Sequence, residues 1–350
     1  MTGPIIPAST PPDPDRIAER LPLLRRRALV ARAVRAFFDA RDYLEVETPY
    51  AVPTPGEEVH LRVFRTEREH HDGTRRALFL HTSPEFAMKR ILAATGQPIF
   101  QLARVWRNAE GSHLHAAEFT MLEWYRPGAT LAGLMDETES LLRAVLPPVL
   151  QRPPGLAEAR PLRIDVPFER LTMAEAFARH AGIDLLPTEG DAASLAAAAG
   201  CALRHGEDWE DLFFRLLMER VEPAIGRDRP CFLTHWPASQ AALARRDPAD
   251  PRTALRFELY AAGIELANAF EELTDPVEQR RRFAADRARR ASLYGAGPDM
   301  AWPMDEALLA ALGHMPPCAG IALGFDRLVM LAAGTARIGD IQWLEEGAMV

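Results

Sequence analysis

The first strong periodic signal along the chain is helical. Across 16–41, "RIAERLPLLRRRALVARAVRAFFDAR", apolar residues recur every three or four positions. The spacing predicts a helix with Leu29, Ala33, Phe37 and Phe38 on one side. "YLEVETP" follows as a short strand ending at Pro49. "LFLHTSPEFAMKRILAATG" predicts a strand, a turn and a second helix, with Ser83 suited to the N-cap, Pro84 to the first helical position and Glu85 to the first turn. "PIFQLARVWRN" and "EFTMLEWYRP" predict two strands joined by a loop. A helix over 131–146 precedes a Pro-rich break, "LPPVLQRPPG", and 171–225 is a mostly helical insertion. Sheet patterns resume with "CFLTHWP" and "RFELYAAGIELANAFEEL", and "GIALGFDRLVMLAAG" reads as a strand entering a helix.

Antiparallel strands interleaved with helices predict an α+β fold, not a doubly wound sheet. No internal repeat is present. No GxGxxG or GxxxxGK[ST] follows a strand, which disfavours the two common glycine-loop nucleotide folds. Residues 1–18 are expected to be a flexible, Pro-rich segment, and 19–350 one large domain carrying the 171–225 insertion.

Composition refines this picture at a few points. With 48% hydrophobic and 26% charged residues, the chain has the balance of an ordinary globule, which excludes fibrous and disordered classes. A net charge of −8 argues against a nucleic-acid partner gripped mainly by its phosphates. Cys201, Cys231 and Cys318 form no CxxC and no zinc-type cluster, so they read as free thiols in a reducing cytoplasm. "MTGPIIPASTPPDPD" lacks the basic start and apolar core of a signal peptide, and no apolar run reaches membrane-spanning length. Lys89 is the only lysine among 41 Lys and Arg residues. Two explanations stand: a coding bias toward arginine, or a need for a point ammonium at that position.

Three segments carry candidate chemistry. In "RVWRN…EFTMLEWY", Arg107 at a strand end can make charge-assisted hydrogen bonds to phosphate, and Phe119 can offer a face for a base. In "RFELYAAGIELANAFEEL", a turn centred on Ala261–Ala262 would set Glu258 opposite Glu265. Facing carboxylates repel unless a cation lies between them, and such oxygen ligands suit Mg²⁺ shared with substrate phosphates. Glu272, further along in mostly apolar surroundings, is a candidate partner for an ammonium. In "GIALGFDRLVML", Gly320 and Gly324 allow close approach of a ligand to the backbone. Arg327 at a helix start sits against the helix dipole and calls for an anion.

Together these segments resemble the three motifs of class II aminoacyl-tRNA synthetases, which implies their catalytic domain: an antiparallel sheet flanked by helices. Residues 25–49, ending "LEVETP", look like motif 1, "RVWRN…EFTMLEWY" like motif 2 and "GIALGFDRLVML" like motif 3. "TSPEFAMKR" resembles the lysyl-type "T-x-P-E-x-x-x-K-R". Motif 1 begins near residue 25, which leaves no room for the anticodon-binding barrel of lysyl-tRNA synthetases. The chain is most similar to the elongation factor P β-lysine ligase family. That resemblance implies a cytoplasmic, homodimeric enzyme that uses ATP and Mg²⁺ to activate (R)-β-lysine as an adenylate. The acyl group then passes to a lysine of elongation factor P, and tRNA is not the expected acceptor.

Position by position, the resemblance implies that Arg107 holds the α-phosphate and that Phe119 and Arg327 sandwich adenine, with Asn108, Glu110, His115, Leu266 and Gly324 also around ATP. Glu258 and Glu265 would hold Mg²⁺, with Glu265 also touching ATP. Glu272 and Tyr125 would bind the substrate's side-chain ammonium and Glu85 its other amine, with Ser83 and Asn268 lining the same pocket. Ala322 stands where lysyl synthetases usually have Gly, a difference of one methyl worth about 1–3 kcal/mol of discrimination between α- and β-lysine. Two positions depart from the family: Ala109 replaces a Glu that accepts from the adenine amino group, and Ala116 replaces an Asn near ATP. Glu110 or a backbone carbonyl is expected to take over adenine recognition. The competing readings are a truncated lysyl-tRNA synthetase-like enzyme and a non-catalytic synthetase-like binding protein.

Overall fold

A computed structural model describes residues 14–147, 149–150, 161–295, 297 and 301–344. The large sheet contains β1 (Leu44–Glu45), β2 (Ile99–Trp106), β3 (Glu118–Pro127), β4 (Glu169–Thr172), β5 (Cys231–Pro237), β6 (Thr253–Ala261), β7 (Ile264–Glu271) and β8 (Cys318–Gly324), in the spatial order β1-β2-β3-β8-β7-β6-β5-β4. Only the outermost pairs, β1 with β2 and β5 with β4, are parallel; every pair between them is antiparallel. The α+β expectation therefore holds. A smaller sheet pairs Arg75–Leu80 with Ala51–Val52 and Arg65–Glu69.

The first helix, α1 (Pro14–Asp39), begins inside the segment expected to be flexible, whose residues 1–13 lie outside the described ones. Its buried face runs through Leu24, Val30, Val34, Phe37 and Phe38, and Leu29 is 48% exposed. Phe37 and Phe38 of the expected stripe are buried, while Val30 and Val34 take the places expected of Leu29 and Ala33. Phe38 sets the true face by stacking on Phe100 at 4.6 Å and packing on Trp124 at 5.3 Å. Arg27 ties α1 to the last helix, α9 (Phe325–Ala333), through Asp326 at 2.5 Å and to β3 through Thr120 at 2.8 Å.

Helix α2 (Glu85–Thr95) starts one residue later than expected: Pro84 occupies the cap position and the Ser83 hydroxyl still accepts from Glu85 N at 3.0 Å. Helix α3 (Leu131–Val145) is capped by Thr130. The Pro-rich break after it falls partly outside the described residues. Residues 171–225 supply α4 (Met173–Ala181), α5 (Ala192–Ala199) and α6 (Trp209–Leu216). Their aromatic core, where Phe213 stacks on Phe177 and Trp209, continues into Trp236 and Leu233 of β5, so these helices pack onto the sheet. Helices α7 (Pro276–Tyr294) and α8 (Glu306–Leu312) lie between β7 and β8 in sequence. Among the described residues no helix is long and apolar enough to cross a membrane.

Candidate active site

One face of the large sheet organises the site in rows. The register places Glu258, Asn268, Ala322, Glu123 and Gln101 side by side across β6, β7, β8, β3 and β2. The adjacent row reads Arg256, Phe270, Gly320, Tyr125 and Ile99. Directly paired residues share a face, so the row holding Glu258 and Glu123 presents both carboxylates on one side. A cavity of about 440 Å³ opens above these rows.

The β6–β7 hairpin corrects an expectation. Its turn is Ala262–Gly263, both at positive φ (56° and 76°), the conformation that favours glycine in a tight hairpin. Glu258 consequently faces Asn268, and Glu265 faces Tyr260. The register shifts between Leu259 and Tyr260, which leaves Leu266 unpaired as a bulge. The extra residue returns Glu265 to the face that carries Asn268, three positions away. Glu258 and Glu265 thus line the same cavity without being directly opposed.

Both oxygens of Glu258 are engaged: Arg256 donates to one at 2.6 Å and the Tyr260 hydroxyl to the other at 2.6 Å. Burial, reinforced by the charge of Glu265, raises its carboxyl to about 7. Each carboxylate oxygen retains a second lone pair. The donor set therefore fits a hard divalent cation held by two carboxylates together with phosphate oxygens. Among the described residues no group of three His, Cys, Asp or Glu side chains could hold a metal.

Two arginines, Arg107 and Arg327, add positive charge to the cavity, and Arg327 lies 3.7 Å from the Glu265 carboxylate. Arg107 follows β2, where its N–H donates to Ala117 O at 2.9 Å and closes the hairpin loop. Its guanidinium lies over the Phe119 ring at 5.3 Å, and its buried Nε has no partner. Arg327, in the first turn of α9, donates to Glu265 O at 2.7 Å and to His115 Nε2 at 2.6 Å. An arginine can only donate, so Nε2 must be the acceptor, and the His115 proton belongs on Nδ1, 2.8 Å from Ser112 Oγ. Burial and the nearby Arg327 charge both push this imidazole below its usual value, consistent with the neutral form.

The loop between β2 and β3 bears on the two alanine departures. Ala109 adopts φ 61° and is exposed, whereas Glu110 lines the cavity. Ala116 lines it as well. Asn108 is not on the wall. Its N–H donates to Arg62 O at 2.9 Å and its side-chain amide to Val63 O at 3.4 Å, which anchors the loop to the segment just before Arg65–Glu69.

The amine-pocket candidates divide between the cavity wall and the layer beneath it. Ser83, Glu85, Asn268 and Ala322 line the cavity. Glu123 is fully buried behind them, accepting from Ser83 Oγ at 2.5 Å and from the Tyr125 hydroxyl at 3.2 Å. Burial and the neighbouring Glu85 raise its carboxyl to about 8, so it is mostly protonated at neutral pH. Tyr125 and Glu272 do not line the cavity; they lie beneath its wall. Glu272 pairs with Lys89 at 2.6 Å, and its Oε1 has no hydrogen-bond partner. Gly320 lies beneath Tyr125 and Glu272, so its missing side chain makes room for them and not for a ligand.

Leu266 and Gly324 also line the cavity, where a Cβ on Gly324 would meet Arg327 Cδ at an ordinary 3.4 Å. Sequence reasoning missed Glu58, Glu123 and Arg256. Arg256 and Glu123 were in principle findable, because each stands two residues from a candidate on the same strand face. Glu58, from the loop "PTPGEEV", lies close to Glu85 and Arg107, and no local periodicity signals it.

This sheet order, with an arginine-bearing hairpin on β2–β3 and an arginine opening the helix after β8, is the catalytic fold of a class II synthetase. The family model of class II tRNA synthetases (D, K and N) matches residues 16–344. The elongation factor P–(R)-β-lysine ligase of Pseudoalteromonas translucida is 44% identical over 326 residues, covering 91% of this chain and 93% of that protein. The ligase of Klebsiella pneumoniae is 43% identical over 330 residues, covering 92% and 94%. That of Sodalis glossinidius is 44% identical over 329 residues, covering 91% and 93%. The chain belongs to the class II tRNA synthetase family, in the branch of the elongation factor P–(R)-β-lysine ligases.

Proposed function

We propose that this chain activates (R)-β-lysine with ATP and transfers the β-lysyl group to a lysine side chain of elongation factor P. One observation carries the reading: a single cavity of about 440 Å³ is lined both by arginines, Arg107 and Arg327, and by carboxylates, Glu85, Glu258 and Glu265. The substrate carboxylate attacks the α-phosphorus of ATP, pyrophosphate leaves, and a mixed anhydride with AMP forms. The acceptor amine then attacks the carbonyl carbon, an amide bond forms, and AMP departs with the bonding electron pair.

In this scheme Arg107, whose buried Nε lacks a partner, binds the α-phosphate and offsets the charge that builds up on it. Arg327 and Phe119 flank the adenine, and Glu110 takes the place of the missing Glu at position 109. His115, neutral and an acceptor for Arg327, keeps that guanidinium turned toward the ATP end. Glu258 and Glu265 would hold Mg²⁺, which when bound neutralises phosphate charge. Glu85 and Glu272 attract the amines of the substrate, and Ala322 narrows the pocket between α- and β-lysine. A homodimer through α1 and β1 belongs to the same proposal, supported by Leu29 and Leu44, 48% and 53% exposed on those elements.

The test is incubation with ATP, (R)-β-lysine and elongation factor P, followed by weighing the acceptor and measuring ATP–pyrophosphate exchange. A β-lysyl increment on the acceptor is expected. Exchange with an unmodified acceptor and aminoacylated tRNA would favour a lysyl-tRNA synthetase-like enzyme, and a folded protein without exchange a binding protein. Sedimentation gives the oligomeric state.

A further inference from the structure

Lys89 is a buried cation to which the scheme above gives no role. It is 1% exposed and lies on α2. Its Nζ sits 2.6 Å from Glu85 Oε1, one helical turn back, and 2.6 Å from Glu272 Oε2, just past the end of β7. Glu85 opens on the cavity, while Lys89 and Glu272 lie behind its wall. Two carboxylates against one ammonium leave the wall one positive charge short. The unpartnered Oε1 of Glu272 marks the same deficit in hydrogen bonds. A compact ammonium can meet two carboxylates from different directions, whereas a planar guanidinium presents its donors in a fixed fork. That difference accounts for a lysine here in a chain whose other strongly basic residues are arginines.

We propose that Lys89 is a positioning residue for amine recognition: its ammonium fixes Glu85 and Glu272 at the inner wall and leaves a single-charge deficit that an ammonium group of a diamino acid fills. The proposal rests on the diamino acid reading above and adds to it the residue that sets the charge of the pocket. Burial, with the neighbouring Glu85 charge, pushes the Glu272 carboxyl up to about 7, and Lys89 opposes that push. The two carboxylates in turn outweigh the effect of burial on Lys89 and hold it protonated. Removing the ammonium therefore drives Glu272 toward its neutral form and frees Glu85 to turn away.

A double-mutant cycle tests this, with Lys89→Met, Glu272→Gln and the pair together. Binding of (R)-β-lysine is measured by titration calorimetry without ATP, and the KM for ATP by pyrophosphate exchange. Lys89→Met is expected to weaken β-lysine binding by about ten- to a hundredfold, the range for losing a charged hydrogen bond, with the KM for ATP within about twofold. The double variant should lose less than the product of the two single losses, because part of the effect of Lys89 runs through Glu272 and the rest through Glu85. Wild-type affinity in Lys89→Met, or single losses that multiply in the double variant, would overturn the proposal. If Lys89→Met does not fold, Lys89→Ala supplied with methylammonium carries the test. Restored β-lysine affinity supports the positioning role; restored melting temperature without affinity refutes it. A wild-type chain that binds no β-lysine in the calorimeter overturns the diamino acid reading itself, and this proposal with it.

Discussion

Replacing Gly320 with alanine would insert one methyl group where β8 passes beneath Tyr125. A Cβ built there lies 2.3 Å from Tyr125 Cδ1 and Cε1 and 2.6 Å from Glu272 Oε1. Carbon atoms prefer to sit about 3.5–4.0 Å apart, so the ring must retreat by more than about 1 Å. It has little room to do so: Tyr125 is 3% exposed, shares a core with Met88, Leu92 and Phe283, and its hydroxyl is bonded to Glu123. Overpacking of this kind costs about 1–3 kcal/mol. If Glu272 is also pushed off Lys89, the broken buried pair adds roughly 3–5 kcal/mol. With an unfolding entropy of about 2.1 cal/mol/K per residue, a chain of 350 residues loses roughly 1.4 °C of Tm per kcal/mol. The expected drop is thus about 1–4 °C from overpacking alone and up to about 10 °C if the pair breaks. Gly324→Ala is the control, since its Cβ meets Arg327 at 3.4 Å, and its Tm should stay within about 1 °C of wild type. Thermal unfolding and β-lysine calorimetry on both variants decide the matter. A Gly320→Ala protein with wild-type Tm and wild-type affinity would refute the packing of Tyr125 and Glu272 over this glycine.

Arg107→Met should lower adenylate formation by about 10²–10³-fold, measured by pyrophosphate exchange, while Tm holds, because the lost Nε had no partner to leave behind. Glu258 titrates at about 7 in the fold against an ordinary 4.5, so the folded chain holds the extra proton between those values. Its contribution to stability is full below about 4.5 and lost as pH rises through about 7. Urea denaturation should therefore show wild type losing stability relative to Glu258→Gln across that window, and parallel curves would refute the shift. Glu110→Ala should raise the KM for ATP several-fold, the worth of one hydrogen bond to a base, and an unchanged KM removes Glu110 from adenine recognition. Incubation with ATP and β-lysine should leave Lys89 unacylated in peptide mass maps, since the only lysine is buried in two ion pairs; β-lysyl-Lys89 would contradict that burial.

Much of the element order was legible because strand and helix periods are local properties. The strands around Arg107 and Phe119, the helix over Leu131–Val145 and the strand-to-helix passage at Gly324 stand where the pattern put them. Departures arose where neighbouring residues were equally suited. Leu29 and Val30 are both apolar, and only the contact of Phe38 with Phe100 and Trp124 chooses between the two faces of α1. Ala261–Ala262 and Ala262–Gly263 both allow a turn, and the need for positive φ selects the second. That one-residue difference alone would pair Glu258 with Ala267; the bulge at Leu266, invisible to any count along the chain, moves its partner on to Asn268.

Taken alone, the sequence determined the α+β class, the candidates Arg107, Arg327, Glu85, Glu258 and Glu265, and the oddity of a single lysine, but not Arg256 or Glu58. Each follows from residue type and spacing over a few turns or strands. Only the tertiary structure decided which carboxylates face the cavity and which lie beneath it. It set Tyr125 and Glu272 over Gly320, used Asn108 as an anchor, and gave Lys89 its two partners. Those outcomes depend on strand register and on side chains that meet from distant parts of the chain, and neither leaves a periodic trace in the sequence.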